Sequence, residues 1–330
     1  MIWNGLSIPT RNVYAREAND YVMFCRLAGF ECWPASLRSL LEYIGVRAHG
    51  SENFKQLSPD TIQHHLSAIR SHHVDRNLPC DVFDNELLKR AMRGVKRVYA
   101  KPKKTRLPLG RKLIEKILSV RVDNPYQQHS LDTLNFFTAL RVAYAGFMRL
   151  GEITYSDKDR ATPAVFARNN VLRRDVKIFH YHATLHLRRS KGDREHVGIT
   201  LRFARSGGIM CPVAALEALR DLDPQPDSAP LFRFVGRGFP RQLFVDKIRQ
   251  YLILANEPVD HISGHSIRQG AAQDAHDLGF SRDEIQALGR WNSDSVDRYF
   301  NFSSSRHIRL SRELLTQRLG PHNKVRFQVD

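Results

Sequence analysis

His265-Ser266-Ile267-Arg268, then Leu288-Gly289-Arg290-Trp291, then Tyr299 make up the stretch on which the reading of this chain turns. The first four residues sit where a helix would begin. A spacing of three puts His265 and Arg268 on one helical face, where both side chains reach a single phosphate. Leu288-Gly289-Arg290-Trp291 reads as a capping turn and Tyr299 as a core tyrosine. Taken singly each is ordinary, so the rest of the chain must decide what they mean together.

Upstream, Tyr144-Ala145-Gly146-Phe147-Met148-Arg149-Leu150-Gly151-Glu152 closes an apolar helical pattern with a glycine, an arginine and a glutamate. Alone it is a helix-end ion pair. Next, Ala183-Thr184-Leu185-His186-Leu187-Arg188 alternates with period two, Ser190-Lys191-Gly192-Asp193 turns, and Val197-Gly198-Ile199-Thr200-Leu201 returns. This predicts a β-hairpin with Lys191 at its tip. Helical patterning covers 110–120 and 130–148, and resumes from Pro212 apart from the proline-rich 224–230 loop.

Residues 12–100 read as helical. Tyr14, Ala18, Tyr21, Val22 and Cys25 recur at helical spacing, as do Leu37, Leu40, Leu41 and Ile44 after Pro34-Ala35-Ser36. Leu57-Ser58-Pro59-Asp60 places a capping serine before a proline at the first helical position, opening a helix through Ile62, Leu66, Ile69 and Val74. Another runs from Asp84 to about Val98. Four such helices predict a small bundle.

Charge identifies the partner. The 330 residues carry 51 Lys and Arg against 34 Asp and Glu, a formal net charge of +17. Between Lys89 and Lys112 lie eleven Lys and Arg residues and no acidic one, which is denser than solubility requires and points to nucleic acid. Arg70, Lys89, Arg93, Lys96 and Arg97 are the candidate DNA contacts of the bundle. Its third helix also carries His64, His65, His72 and His73, a polar face that either meets DNA or is solvated. Lys101-Pro102-Lys103-Lys104-Thr105-Arg106-Leu107-Pro108 is an extended linker whose Lys101, Lys103, Lys104 and Arg106 suit phosphate contact, suggesting a clamp around a duplex. The expected organisation is a helical DNA-binding domain over 1–100, a basic linker over 101–108 and a second domain over 109–330. The fold class is mainly α with a small β-hairpin or three-stranded sheet (α+β).

No stretch approaches the run of about 18 apolar residues that a membrane helix needs, and the N-terminus lacks the pattern of a signal peptide. The expectation is an intracellular protein with no membrane partner. Cys25, Cys32, Cys80 and Cys211 are scattered without a C-x-x-C pair, which argues against a disulfide framework or a zinc site. His180, His182 and His186 share one strand face without a cysteine or carboxylate to complete a metal set. Gly236-Arg237-Gly238 is a turn and not a phosphate-binding loop. No metal or cofactor is expected.

The order Arg149-x-x-Glu152, hairpin Lys191, His265-x-x-Arg268, Leu288-Gly289-x and Tyr299 nine residues past that x resembles the tyrosine recombinase (phage integrase-like) family over roughly 109–320. The bundle and linker look like that family's core-binding domain. The Gly289-Arg290-Trp291 form looks like recombinases of eukaryotic mobile elements, crypton or DIRS-type. The resemblance implies a site-specific recombinase. Tyr299 would be the nucleophile, forming a 3′-phosphotyrosyl bond. Arg149 and Arg268 would grip the scissile phosphate's non-bridging oxygens with planar, permanently charged forks. Lys191 would protonate the leaving 5′ oxygen, and Glu152 would orient Arg149 or His265. His265 would help Tyr299 lose a proton that a phenol ordinarily holds to a pH near about 10. Strand exchange would pass through a Holliday junction in a DNA-bound homotetramer, the protein being monomeric without DNA.

One departure stands out. The family has His or Trp nine residues before the tyrosine, where this chain has Arg290 followed by Trp291. Either Trp291 packs into the site after a one-residue shift, the reading carried forward, or Arg290 supplies a third phosphate contact. The segment from Ser305 to Leu319 reads as an amphipathic helix with Ile308, Leu314, Leu315 and Leu319 on its apolar face; it docks either on a neighbouring protomer or on its own domain. Two other functional classes fit the same residues: a type IB topoisomerase-like relaxing enzyme and a catalytically inactive DNA-binding descendant. A eukaryotic host would imply the nucleus.

Overall fold

The computed structural model describes residues 5–101, 107–120, 130–190 and 197–291. The chain divides into two compact units, Met1–Lys104 and Thr105–Asp330, each with its own hydrophobic core.

The first unit contains α1 (Ile8–Ala28), α2 (Leu37–His49), α3 (Pro59–Asp75) and α4 (Glu86–Tyr99). Ser7, Ser36, Ser58 and Asn85 cap them, each side chain accepting a first-turn backbone N–H. The Ser58-Pro59 start is as the sequence predicts. The apolar stripes meet in a core where the Tyr43 ring stands edge-on to Tyr21 and Phe24, centroids 5.3 Å away in each pair.

The histidines of α3 differ from expectation. His65 and His73 are buried, while His64 is exposed. Tyr43 donates to Asp20 at 2.7 Å and its hydroxyl lies 2.6 Å from His65 Nδ1. His73 Nε2 accepts the Ala35 N–H at 3.1 Å, so Nδ1 carries the proton and donates it to the Pro79 carbonyl at 2.6 Å. A buried imidazole is stable only with such partners, and they come from distant turns of the chain. These two histidines therefore do not belong to a polar outer face.

The second unit contains α5 (Arg111–Ser119), α6 (Leu131–Ala145), α7 (Pro163–Asn169), β1 (Val176–Ile178), β2 (His182–Leu187), β3 (Ile199–Ala204), α8 (Pro212–Leu222), α9 (Arg241–Leu254), α10 (Ser266–Asp277) and α11 (Arg282–Gly289). The strands form an antiparallel sheet in the order β1-β2-β3, so the fold is mainly α with one small sheet, as expected. Ala183 pairs with Phe203 and Leu185 with Leu201, turning one face of the hairpin into the core. β3 begins two residues later than the alternation of Val197-Gly198-Ile199 suggests. Gly198 adopts a left-handed φ of 79° and a side chain there would strike the His186 ring, so it belongs to the connection.

α10, which carries Arg268 and is preceded directly by His265, is fixed tightly. A Cβ on Gly270 would overlap the backbone of Leu109, whose N–H donates to the Ser266 carbonyl at 2.8 Å. One turn on, Asp274 Oδ2 accepts the Tyr144 hydroxyl at 2.6 Å and the Arg111 backbone N–H at 2.5 Å, tying α10 to α6 and to the start of α5. Burial, reinforced by Asp274, raises the Tyr144 phenol well above its usual range. Among the described residues no helix is long and apolar enough to cross a membrane.

Candidate active site

α6 and α11 end in the same way, and the two ends meet. At α6, Met148 N–H returns to the Ala143 carbonyl (2.8 Å) and Phe147 N–H to Tyr144 (3.1 Å). At α11, Trp291 N–H returns to Gln286 and Arg290 N–H to Ala287, both at 3.1 Å. This closure needs a left-handed residue, usually glycine. Here the glycine comes one residue early in both helices. A Cβ on Gly146 would crowd Leu201, Phe203 and Met148, and one on Gly289 would overlap the Trp291 ring. Close packing claims the glycines, and the left-handed position falls on Phe147 (φ 48°) and Arg290 (φ 58°). Each such residue costs on the order of 1–3 kcal/mol, which the surrounding structure must hold in place.

Arg268 does much of that holding. Projecting from the first turn of α10, it is 1% exposed. Nη1 donates to the Phe147 carbonyl at 2.5 Å and Nη2 to the Gly289 carbonyl. Its guanidinium carbon lies 4.1 Å from the centroid of the Trp291 ring. Carbonyls at helix C-termini carry partial negative charge, and a ring face adds cation–π attraction, so both compensate the buried charge. The guanidinium thus points inward and is not displayed beside His265 on a shared face. His265 is the residue before α10, half-buried, its backbone N–H donating to Ser263 Oγ at 3.3 Å.

Glu152 organises the outer layer. Its side chain is 5% exposed and accepts four hydrogen bonds: Arg149 backbone N–H (3.0 Å), Arg149 Nη1 (3.2 Å), Ser190 Oγ (3.0 Å) and Arg290 Nη2 (3.0 Å). Arg149 and Arg290 sit on opposite carboxylate oxygens. Arg290 Nη2 also approaches the Phe147 carbonyl at 3.4 Å, which links it to Arg268. Burial draws the Arg290 guanidinium below its usual range; Glu152 opposes this and Arg149 adds to it. Among the described residues Arg149 and Arg290 share the single carboxylate of Glu152, which leaves a surplus of positive charge with access to solvent through Arg149, which is 24% exposed. Sequence reading missed Ser190, which looked only like part of a turn; it immediately precedes Lys191.

Trp291 packs beneath this layer with Phe147, Ala271, Ala272, Ala275 and Ile285. Lys191, Tyr299 and the helix expected over 305–319 lie outside the described residues. In the first unit, Arg70, Lys89, Arg93 and Lys96 line one groove of about 340 Å³ between α3 and α4, floored by Leu66, Phe83, Leu88 and Met92. Arg70 is held by Asp84 through two 3.1 Å contacts and Lys89 by Glu86 at 2.8 Å. Arg97 and Lys101 are exposed; Lys103, Lys104 and Arg106 fall outside the described residues.

No protein-family profile and no curated protein matches the sequence. Solved structures do match it. The XerH site-specific recombinase bound to palindromic difH substrate in a post-cleavage complex superposes with a TM-score of 0.61 at 14% identity, covering 93% of this chain and 80% of that one. The Tn1549 transposon integrase in complex with transposon right end DNA gives 0.51 at 16% identity, with 86% of each chain covered. A lambda integrase dimer bound to a COC′ core site gives 0.51 at 13% identity, with 91% of each chain covered. The chain therefore has the fold of the tyrosine recombinases and integrases.

Proposed function

We propose that this chain is a site-specific DNA recombinase that cleaves and rejoins strands through a covalent phosphotyrosine. The observation that carries the reading is the pairing of Arg149 and Arg290 on one carboxylate, Glu152, with Arg268 joined to them through the Phe147 carbonyl where two helix ends meet. Such a concentration of guanidinium charge calls for an anion, and a phosphodiester in duplex DNA supplies one. The fold supports the same reading, being shared with recombinases and integrases whose structures hold DNA.

In this proposal the Tyr299 oxygen attacks the scissile phosphorus, forming the O–P bond as the bond to the 5′ oxygen breaks. Lys191 gives its proton to that oxygen, and His265 assists loss of the tyrosine proton, help typically worth about 10² to 10⁴ in rate. Arg149 meets the charge that develops on the phosphate, and Arg268 stabilises it from beneath in a medium of low dielectric. Glu152 holds Arg149 in place, and Trp291 buttresses Arg268. The phosphotyrosyl bond retains the energy of the phosphodiester, so rejoining to another 5′ hydroxyl needs no nucleotide. The groove between α3 and α4 binds duplex backbone, and four protomers act together on DNA in the service of a mobile element.

The test is a library of nicked, randomised duplexes incubated with the full chain and recovered after denaturation as protein–DNA adducts. The proposal expects enriched sequences joined at Tyr299 by their 3′ phosphate, and no adduct with Tyr299→Phe. No adduct with the wild-type chain, or an undiminished one with the variant, overturns it.

A further inference from the structure

The Arg149–Glu152–Arg290 layer contains an unspent donor set. Arg290 is 9% exposed on its side chain, and of its three guanidinium nitrogens only Nη2 is committed, to Glu152 and Phe147. Nε and Nη1 are buried and have no hydrogen-bond partner among the described residues. Leaving donors of a charged group buried and unpaired is costly, so their presence beside the Arg149 guanidinium points to a seat that suits an anion.

The backbone sets where these donors sit. Arg290 occupies the left-handed closing position of α11, where a side chain is disfavoured and glycine is the usual solution. Packing at Gly289 puts the left-handed position on Arg290, and this holds its two unspent donors beside Glu152. Trp291, by contrast, is spent: its ring faces the Arg268 guanidinium on one side and fills the Phe147–Ala271–Ile285 cluster.

We propose that Arg290 is a catalytic residue that grips a non-bridging oxygen of the scissile phosphodiester through Nε and Nη1, opposite Arg149, and that Trp291 is a positioning residue beneath Arg268. The role of Arg290 in strand cleavage rests on the recombinase reading above; its role as an anion seat does not. Glu152 acts as the spacer between the two forks, one arginine on each carboxylate oxygen, so that a tetrahedral anion meets both from different sides. A guanidinium stays charged throughout the accessible pH range, so this position contributes no titration to the reaction.

Two measurements on the full chain test the assignment. Free protein is titrated with the phosphodiester dinucleotide TpT while the arginine Nε–H signals are followed by NMR. The seat predicts a saturable shift of the Arg290 signal, and about tenfold or greater weakening of TpT binding in Arg290→Gln. On a duplex selected by the wild-type chain, Arg290→Gln should form adduct about 100-fold more slowly. Arg290→His should recover part of the rate at acidic pH, its ratio to wild type falling as the pH rises through about 6.5, where an imidazole loses its charge. Equal TpT binding by wild type and Arg290→Gln, or adduct formation by the variant within about threefold of wild type, a loss smaller than that of one charged hydrogen bond, overturns the proposal. If the wild-type chain forms no adduct at all, the recombinase reading fails and the TpT titration alone decides the seat.

Discussion

Arg149 and Arg290 are held by opposite oxygens of one carboxylate, Glu152, at 3.2 and 3.0 Å, although 141 residues separate them in the chain. Glu152→Gln keeps the size and one acceptor but removes the charge that fixes both forks. The expected outcome is a folded protein whose rate of adduct formation drops about 10²-fold, the loss that a misplacement of about 1 Å brings. Single-turnover trapping beside wild type, with circular dichroism as the folding control, checks it.

Arg268 couples stability to the site. Arg268→Ala would take the Arg268 donors from the Phe147 and Gly289 carbonyls, leaving Phe147 only the longer contact from Arg290, remove the stacking on Trp291 and open a cavity. A loss of about 3–5 kcal/mol is expected from disrupting such a buried charged network. Urea unfolding followed at Trp291 fluorescence measures it. A cost below about 1 kcal/mol would mean that the helix ends close without this arginine.

Acid should weaken the second unit through Asp223. Its side chain is 1% exposed and accepts from Asn135, Arg173 and Arg233. Burial alone would raise its pKa, but the hydrogen bonds of Arg233 and Asn135 and the charges of Arg233 and Arg173 hold it down to about 2. A carboxyl depressed in the folded state contributes stability above its unfolded pKa and loses it as pH falls through the folded value. A contribution of roughly 2 kcal/mol should therefore disappear between about pH 4 and pH 2. Asp223→Asn should remove that part of the acid dependence, as read from urea midpoints over the same range.

The groove between α3 and α4 makes the salt prediction specific. If Lys89, Arg93 and Lys96 each neutralise a phosphate, replacing all three by alanine should lower the slope of log affinity against log salt by about 2.7, at about 0.9 per contact. Fluorescence anisotropy on a selected duplex measures it. An unchanged slope would remove this groove from the DNA interface.

Gly270→Ala tests the docking of α10 on Leu109. The added methyl would overlap backbone, which cannot move aside as a side-chain end can. A loss of about 1–3 kcal/mol is expected, typical of overpacking. The same substitution at Gly151, where nothing crowds an added Cβ, should cost less than about 0.5 kcal/mol.

Much of the architecture was legible because it is local. The Ser58-Pro59 cap, the alternation of Ala183 to Leu187 and the helical repeats are fixed by backbone chemistry and by which side chains avoid water. Motif order singles out Arg149, Glu152, His265 and Arg268, but it puts Arg268 beside His265 on a shared face, whereas the folded chain turns it inward to the Phe147 and Gly289 carbonyls. Lys191 and Tyr299 rest on that order still. His65 and His73 leave the polar face that the sequence suggests for α3, because their partners, Ala35, Tyr43 and Pro79, lie on other turns of the chain, while His64 stays exposed.

Composition, periodicity and motif order show which groups this protein has available: a helical first segment, a basic linker, a mainly helical second part with one small sheet, and several arginines with one glutamate among the motif residues. Only the tertiary structure decided how those arginines are spent. Packing at Gly146 and Gly289 pushes the left-handed closing position onto Phe147 and Arg290, so two helix ends present carbonyls to Arg268 and draw it inward. The same packing lifts Arg290 beside Arg149 on the far oxygen of Glu152. No spacing rule encodes this, because it depends on whether a Cβ fits between surfaces that meet only after folding.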